Sequence, residues 1–323
     1  MDTAVSQIMA EGALPSGDSY RVCHQPFEQG EGTACVHFVL PGVVISRLDW
    51  KTTRFLSAHH PQQKHILKIN HCLKGRAECR MHDGCFQYIG EGDLLLSPLD
   101  NHIDGIELPL GYYQGMVITI DLDVAAGEIA REIPDLTIDL HRLASRYFEE
   151  DKCFSIRSRP ELEHIFAGMY TIPPQSSRTY LRLKILELII YLHLFDPAGE
   201  KQMGTYTRQQ VDIVKQVHHA LVEEPERRYT IEELSQRFCI SATALKSHFK
   251  GVYGKSIAAY MKEYRVHVGA DLLRETDLSI AEVARRMGYA SQSKFTAAFK
   301  EIMGLTASDY RKQVEASSLT GVQ

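Results

Sequence analysis

Apolar residues recur at two different spacings along the chain, and the change divides it into a strand-rich part and a helical part. Up to about residue 121 they form short runs or alternate with polar residues, as strands do. Turns containing glycine separate the runs, and Asp83-Gly84 is the best hairpin candidate among them. Many short strands at this spacing predict a closed or sandwiched antiparallel barrel. The predicted strands are Ala34–Leu40, Gly42–Trp50, His65–Cys72, Ala77–His82, Phe86–Ile89, Asp93–Ser97 and Tyr113–Asp121.

Beyond the strands, apolar positions return every three or four residues, which is the spacing of a buried helix face. The first three predicted helices are Leu140–Phe148, Pro160–Tyr170 and Thr179–Phe195. The third is apolar around most of its circumference, so it must be well covered, and packing against its own barrel would cover it. Asp196–Tyr206 is rich in proline and glycine and is predicted to be an interdomain linker, with a new helix beginning near Thr207.

Two stretches of the helical part, Thr230–Lys250 and Ser279–Lys300, share one plan. Each opens with a hydroxyl residue and a glutamate three positions later, which is the pattern of a capping box. A short amphipathic helix follows, then a turn, and then a second helix capped by Ser241 or Ser291. An ordinary helical hairpin has the same pattern, but two copies matched at identical offsets favour a pair of helix-turn-helix units.

The stretch between the two copies, Ser256–Arg274, is predicted to be one continuous helix. At 1.5 Å per residue, roughly 18 residues span about 27 Å. That length is close to the ~34 Å between successive major-groove faces of B-form DNA. The helix is therefore expected to set the distance between two DNA-reading elements.

This C-terminal region resembles the DNA-binding domain of the AraC/XylS family of bacterial transcription regulators. The resemblance covers about the last third of the chain, and many positions match in order. Ala307 departs from the pattern, because the family usually has proline there. The matching residues are Tyr260, Arg265, Ala270, Leu272 and Leu273 in the linking helix, then Ile280 to Ala284, Gly288, Tyr289, Ser291 to Ser293, Phe295, Phe299, Lys300, Gly304 to Thr306, Ser308, Tyr310 and Arg311.

The resemblance implies that the second helix of each unit enters a major groove of double-stranded DNA. Gln292 is suited to pair with adenine, Thr296 to touch a thymine methyl group, and Lys246 to bind guanine or phosphate. The first unit departs from the family, which commonly has a long arginine or a bulky residue there. The base-reading positions carried over are Thr243, Lys246, Ser247, Gln292, Ser293, Thr296 and Ala297, and the expected phosphate contacts are Lys250, Lys294 and Lys300.

The segment Gly92–Pro98, followed by Asn101 and His102, resembles the cupin-like sensory barrel that AraC-type regulators often carry. The predicted fold is thus α+β, with a cupin-like antiparallel barrel, a helical coupling or dimerisation region, and an all-α domain with two helix-turn-helix units. A small molecule can bind in the mouth of such a barrel. The candidate pocket residues are Trp50, Tyr88, Asn101 and His102. The predicted divisions are a leader at 1–32, the barrel at 33–139, the coupling region at 140–195, the linker at 196–206, the DNA-binding domain at 207–313 and a tail at 314–323.

The net charge of −5 at first argues against a nucleic-acid partner, but the charge is unevenly distributed. Residues 205–313 hold 17 Lys and Arg against 13 Asp and Glu, whereas the rest of the chain holds 19 against 28. No apolar run approaches the ~20 residues of a membrane span, and the first 15 residues lack the features of a signal peptide. A cytoplasmic location is expected. Seven cysteines in a reducing compartment do not indicate a disulfide framework.

Two enzymatic interpretations compete with a regulator. Cys79, His82 and Cys85, near His71 and Cys72, have the residue types of a soft-metal site, but strand alternation and the turn after His82 separate them. A metal-dependent cupin enzyme usually has a close His-x-His pair, which is missing. A methyl-accepting DNA-repair protein needs cysteine in a Pro-Cys-His-Arg setting, whereas Cys23 lacks the flanking proline and arginine. No catalytic residue, metal or cofactor is therefore predicted.

The function predicted from the sequence is a sequence-specific transcription regulator that responds to a small-molecule effector. Its expected partners are operator DNA, RNA polymerase, the effector and a second copy of the chain. The identity of the effector and the choice between activation and repression stay open. An architectural DNA binder without sequence preference is a further alternative, and it would bind many sequences nearly equally.

Overall fold

The computed structural model describes residues 20–27, 30–55, 65–98, 103–135, 137–148, 153–173 and 178–320. The chain divides between Thr207 and Arg208 into two compact units. The first unit is rich in antiparallel sheet, and the second is helical, so the predicted α+β organisation is confirmed. Within the described ranges, no helix is both long and apolar enough to cross a membrane.

The strands of the first unit are all paired antiparallel where the structure describes them, and they form two sheets. The larger sheet has the order β1-β2-β3-β10-β5-β8-β11 and the smaller has the order β4-β9-β6-β7. No pairing among the described strands closes the two sheets into one ring. The strands are β1 (Tyr20–Pro26), β2 (Gly30–Leu40), β3 (Val43–Thr52), β4 (Arg54–Phe55), β5 (Ile66–Gly75), β6 (Ala77–Met81), β7 (Phe86–Ile89), β8 (Leu94–Pro98), β9 (Ile103–Glu107), β10 (Tyr112–Asp121) and β11 (Phe154–Ile156).

Side-chain alternation along the larger sheet supplies two separate cores. Leu94 and Leu96 of β8 pack into the core shared with the helices, and Leu95 packs into the core shared with the smaller sheet. The same division holds on β10, where Ile118 faces the helices and Val117 the second sheet. The sandwiched form of the predicted barrel is therefore the one observed.

Four strands lie where the sequence analysis placed none, and these are β1, β4, β9 and β11. Strand β1 falls within the predicted leader, and it pairs with β2 from Tyr20 opposite His37 to Pro26 opposite Glu31. Strand β9 lies between β4 and β6 in the smaller sheet. Residues 1–19, 28 and 29 of the predicted leader lie outside the described residues.

Four helices follow β10 in the first unit, with β11 between the second and the third. They are α1 (Leu122–Glu132), α2 (Leu140–Ser145), α3 (Pro160–Thr171) and α4 (Arg178–Leu194). Helix α1 has no counterpart among the predicted helices. Helix α4 buries Leu181, Ile185 and Ile189 in the core that it shares with the larger sheet, so its own unit covers that face. Leu183 and Leu194 of the same helix remain exposed.

The segment 196–206, predicted to be a linker, makes its described contacts within the first unit. The main-chain N–H of Ser155 donates to the side-chain oxygen of Gln202 at 2.8 Å, and Arg159 forms an ion pair with Glu200 at 2.5 Å. Tyr206 and Phe86 exchange two main-chain hydrogen bonds of 2.8 and 2.9 Å. This segment thus extends the packing of the strands up to the boundary between the units.

The second unit is built from seven helices over residues 208–320. They are α5 (Arg208–Glu223), α6 (Ile231–Arg237), α7 (Ala242–Tyr253), α8 (Ile257–Glu275), α9 (Ile280–Arg286), α10 (Gln292–Met303) and α11 (Ala307–Thr320). Helix α8 runs unbroken between the two helix pairs, as predicted.

Candidate DNA-binding surface

The two helix pairs α6–α7 and α9–α10 begin with the same reciprocal cap. Glu233 N donates to the Thr230 hydroxyl at 3.1 Å, and Thr230 N donates back to the Glu233 carboxylate at 2.7 Å. The Ser279–Glu282 pair repeats both bonds at 3.2 and 2.8 Å. The Glu233 carboxylate accepts from the main-chain N–H of Thr230, and the Glu282 carboxylate accepts from the hydroxyl and the main-chain N–H of Ser279. These bonds stabilise the charged form, so the pKa of each glutamate lies below its ordinary value. Both short helices therefore start at a fixed residue.

The turns and ends of the pairs also correspond. Cys239 in the first turn and Gly288 in the second both have positive φ, at 51° and 68°. Helices α7 and α10 both end at a left-handed glycine: Gly254 N donates to Lys250 O, and Gly304 N donates to Lys300 O. The two copies seen in the sequence are thus two copies of one structure.

Each second helix buries one face and exposes the other. Leu245 and Phe249 of α7, and Phe295 and Phe299 of α10, have no exposed surface. The predicted reading positions lie on the opposite faces, where Thr296 is half-buried and the others are exposed. The exposed set is Thr243, Lys246, Ser247, Lys250, Gln292, Ser293, Lys294, Ala297 and Lys300.

The lysines of the second unit differ in whether a carboxylate neutralises their charge. Lys255 and Lys262 form ion pairs of 2.6 Å with Glu263 and Glu301. In the described part of the chain, the lysines on the exposed faces of α7 and α10 have no ion-pair partner, and these are Lys246, Lys250, Lys294 and Lys300. The two faces that carry the predicted reading residues thus also carry positive charge that is available to an anion.

Two further exposed cations, Arg285 and Arg286, were not among the predicted contacts. They occupy the last turn of α9. The first helix of a helix-turn-helix unit crosses the DNA backbone, so basic residues on it are suited to phosphate. The adjacent arginine pair was the available sequence signal.

In the first unit, two of the four predicted effector residues are core residues. Trp50 is 4% exposed and packs against Phe27 and Tyr113, with ring centroids 5.7 and 6.3 Å apart. Tyr88 is 2% exposed, and its hydroxyl donates to the buried Glu78 carboxylate at 2.5 Å. Asn101 and His102 lie outside the described residues.

A groove of about 400 Å³ lies on the helix-facing side of the larger sheet, beside Tyr170 near the end of α3. Arg47 contributes to its floor, and its guanidinium donates to the main-chain oxygens of Tyr170 and Ile172 at 3.0 and 3.3 Å. Cys35 and Gln114 also line it. These residues come from separate strands, so no local sequence pattern indicated the groove.

The cysteine and histidine residues considered as a metal site are dispersed. Cys79 is buried in the core between the sheets, whereas His82 is exposed and hydrogen-bonded to Asp104 at 3.2 Å. Cys85 lies in the hairpin turn. Among the residues that the structure describes, no three His, Cys, Asp or Glu side chains form a group suited to a metal ion.

Comparison with known proteins identifies the second unit. A family model described as a helix-turn-helix domain matches residues 234–313. Over 133 residues, 41% of this chain, the sequence is 29% identical to a putative AraC-like transcription regulator of Streptomyces lividans. The C-terminal unit is an AraC-type helix-turn-helix domain.

Two further comparisons cover different shares of the chain. Over 118 residues, 36% of this chain, the sequence is 30% identical to YtdP of Bacillus subtilis, an uncharacterised HTH-type transcriptional regulator. The chain spans 15% of YtdP and 43% of the Streptomyces protein. The crystal structure of ToxT from Vibrio cholerae with bound unsaturated fatty acid aligns with 85% of this chain and 96% of ToxT, at 16% identity and a TM-score of 0.33.

Proposed function

We propose that this protein is a sequence-specific DNA-binding transcription regulator. The observation that carries the proposal is the repeated AraC-type reader, with polar residues and unpaired lysines on the exposed faces of α7 and α10. In helix-turn-helix proteins, the second helix lies in the major groove and reads base edges with its first residues. Gln292 and Ser293 occupy those positions on α10.

The two reading helices have different chemistry, so they are expected to contribute unequally. On α10, the Gln292 amide can make two hydrogen bonds to adenine, and the Thr296 methyl can contact thymine. On α7, one reading position carries a long side chain, that of Lys246, and the other two are the short Thr243 and Ser247. The helix pair α9–α10 would supply most of the base specificity, and the pair α6–α7 would mainly position the protein through phosphate contacts.

The first unit would sense a small molecule. The groove that Arg47 and Tyr170 line, with its volume of about 400 Å³, has the size of a small-molecule site. A ligand there would act on transcription only if it bound the DNA-binding and non-binding states with different affinity. Since chromosomal DNA is the target, the protein would act in the cytoplasm, with RNA polymerase and a second copy of the chain as further partners.

Selection of genomic DNA fragments by the purified full chain at physiological salt tests this function. The chain should enrich one motif with two contact blocks about one helical turn apart. Gln292→Ala should lose discrimination at one or two positions of a single block, at a cost of about 1–3 kcal/mol. Gln216→Ala, which changes an exposed glutamine on α5 outside both helix pairs, is the matched control. Selection of the same motif by both variants would remove Gln292 from the reading surface, and the absence of any motif would refute the proposed function.

A further inference from the structure

The two helix-turn-helix units touch through a loop as well as through the connecting helix α8. This loop, residues 225–228, precedes the helix pair α6–α7, and it lies against the turn of the pair α9–α10. A Cβ atom added to Gly288 would fall 2.2 Å from the main-chain oxygen of Glu226 and 2.8 Å from its carbonyl carbon. Arg228 Nε donates to the main-chain oxygen of Gly288 at 3.0 Å. The turn of the second reader thus packs on the main chain that leads into the first.

Arg228 also contacts the next residue of that turn. Its guanidinium carbon lies 5.5 Å from the centre of the Tyr289 ring, within the range of a cation–π contact. The Tyr289 ring meets Phe295, an innermost residue of α10, edge to face at 5.3 Å. A short chain of contacts therefore links the 225–228 loop to the second reading helix.

The connecting helix also holds this loop. Arg265 of α8 is 6% exposed, and its Nε donates to the main-chain oxygen of Pro225 at 2.6 Å. Its Nη2 donates to the main-chain oxygen of Arg227 at 3.0 Å. A buried guanidinium is costly unless its donors are satisfied, so these two carbonyls fix where the loop lies relative to α8.

We propose that Arg265 and Arg228 make the 225–228 loop a clamp that sets the relative orientation of the two reading helices. Both are positioning residues, and together they restrict the base-pair spacing that the protein accepts between its two contact blocks. Helix α8 packs directly on the second reader, since Val266, Ala270 and Leu273 share a buried core with Phe295 and Phe299. The clamp adds a second path of contacts, which further resists a change in the angle between the two readers. This inference rests on the proposed function, because spacing matters only to a protein that reads two blocks.

Spacing tolerance distinguishes a clamp from a loop that is merely well folded. Each added base pair moves the second block by about 3.4 Å along the axis and turns it by about 34°. A rigid pair of readers cannot follow, so the full chain should lose on the order of 100-fold in affinity when two base pairs are inserted. The Arg228→Ala variant should lose only about 10-fold in affinity on the same insertion, because its less restrained helix pair α9–α10 can rotate toward the displaced block.

Arg227→Ala is the matched control. Arg227 is the exposed neighbour of Arg228, but its side chain contacts Glu224 at 3.3 Å and the Tyr229 ring at 4.2 Å, both beside the same loop. Its variant should show the wild-type penalty for inserted base pairs. Each result is expressed as the ratio of affinities for the parent and expanded operators, so that any phosphate binding by either arginine cancels. An unchanged ratio in Arg228→Ala would overturn the clamp.

Hydrogen exchange of the DNA-free full chain tests the clamp without assuming the proposed function. The amides of Gly288 and Tyr289 donate to Arg285 O and Ala284 O within the turn. Arg228→Ala should make both exchange several-fold faster, because the turn loses its partner, and Arg227→Ala should leave them unchanged. Faster exchange with no selected motif would keep the contact and refute the DNA-reading function. Unchanged exchange would refute the clamp whatever the DNA result.

Discussion

Gly288 and Gly304 share a left-handed backbone, with φ of 68° and 78°, but they differ in their surroundings. A Cβ at Gly304 would meet no atom within 4 Å, whereas one at Gly288 would overlap the main chain of Glu226. Gly304→Ala should therefore cost only the left-handed strain of about 1–2 kcal/mol. Gly288→Ala should cost at least about 1 kcal/mol more, because main-chain atoms must move apart. Urea unfolding of both variants, followed by far-UV circular dichroism, measures the difference, and equal costs would mean that the close contact is absent in solution.

The same glycines show how far single residues could be interpreted from sequence. The need for left-handed backbone at Gly288 was predictable from its place after a helix, and so were the caps at Ser279 and Thr230, because both depend on neighbours within four residues. The contact with Glu226 was not predictable, since 62 positions separate the two residues. Trp50, a pocket candidate from the sequence, packs in the core between the two sheets, and strand alternation alone cannot tell such a core residue from one that lines a ligand cavity.

At the scale of elements, strand β5 and helix α3 meet at a buried histidine. His71 is 3% exposed, its ring stacks on Phe166 with centroids 3.9 Å apart, and its Nδ1 lies 3.0 Å from the Tyr170 hydroxyl. Burial lowers its pKa to about 4. The folded state thus keeps a neutral imidazole over a pH range in which the unfolded chain, with an ordinary pKa near ~6.5, takes up a proton.

The stability of the first unit should consequently fall as the pH drops from about 6.5 to about 4, by up to ~3 kcal/mol for His71. His37 has a pKa of about 4 through burial and the nearby Arg47, so it adds a comparable loss. His71→Gln should remove about half of the pH dependence. Trp50 is the single tryptophan and lies in this unit, so its fluorescence follows the urea unfolding directly. An unaltered slope in His71→Gln would place the titrating group elsewhere.

The elements that were missed show where local pattern gave way to tertiary pairing. The sequence of β9 contains Asp104-Gly105, a dipeptide typical of two-residue hairpin turns. Pairing with β6, which places Gly105 opposite Arg80, overrides that local preference. The helices of the second unit were predictable because their caps and apolar stripes agree with their packing.

At the scale of the whole molecule, net charge conceals the DNA-binding unit. The chain carries −5 in total, yet its surplus of Lys and Arg lies between residues 205 and 313. Within that unit, Lys255 and Lys262 are neutralised by glutamates, and the lysines of α7 and α10 are not. Composition gave the location of the basic surplus, but only the ion pairs show which cations are available to phosphate.

The salt dependence of operator binding tests this division of the lysines. Each phosphate neutralised by a cation contributes about −0.9 to the slope of log K against log salt concentration, because a counterion is released. Lys294→Ala should therefore make the slope shallower by about 1 and weaken binding to all sequences nearly equally. Lys262→Ala, which removes a lysine already paired with Glu301 at 2.6 Å, should leave the slope unchanged. Titrations between about 50 and 200 mM salt give both slopes. Equal slopes in the two variants would show that Lys294 makes no phosphate contact, and a loss confined to one base pair would make it a base-reading residue.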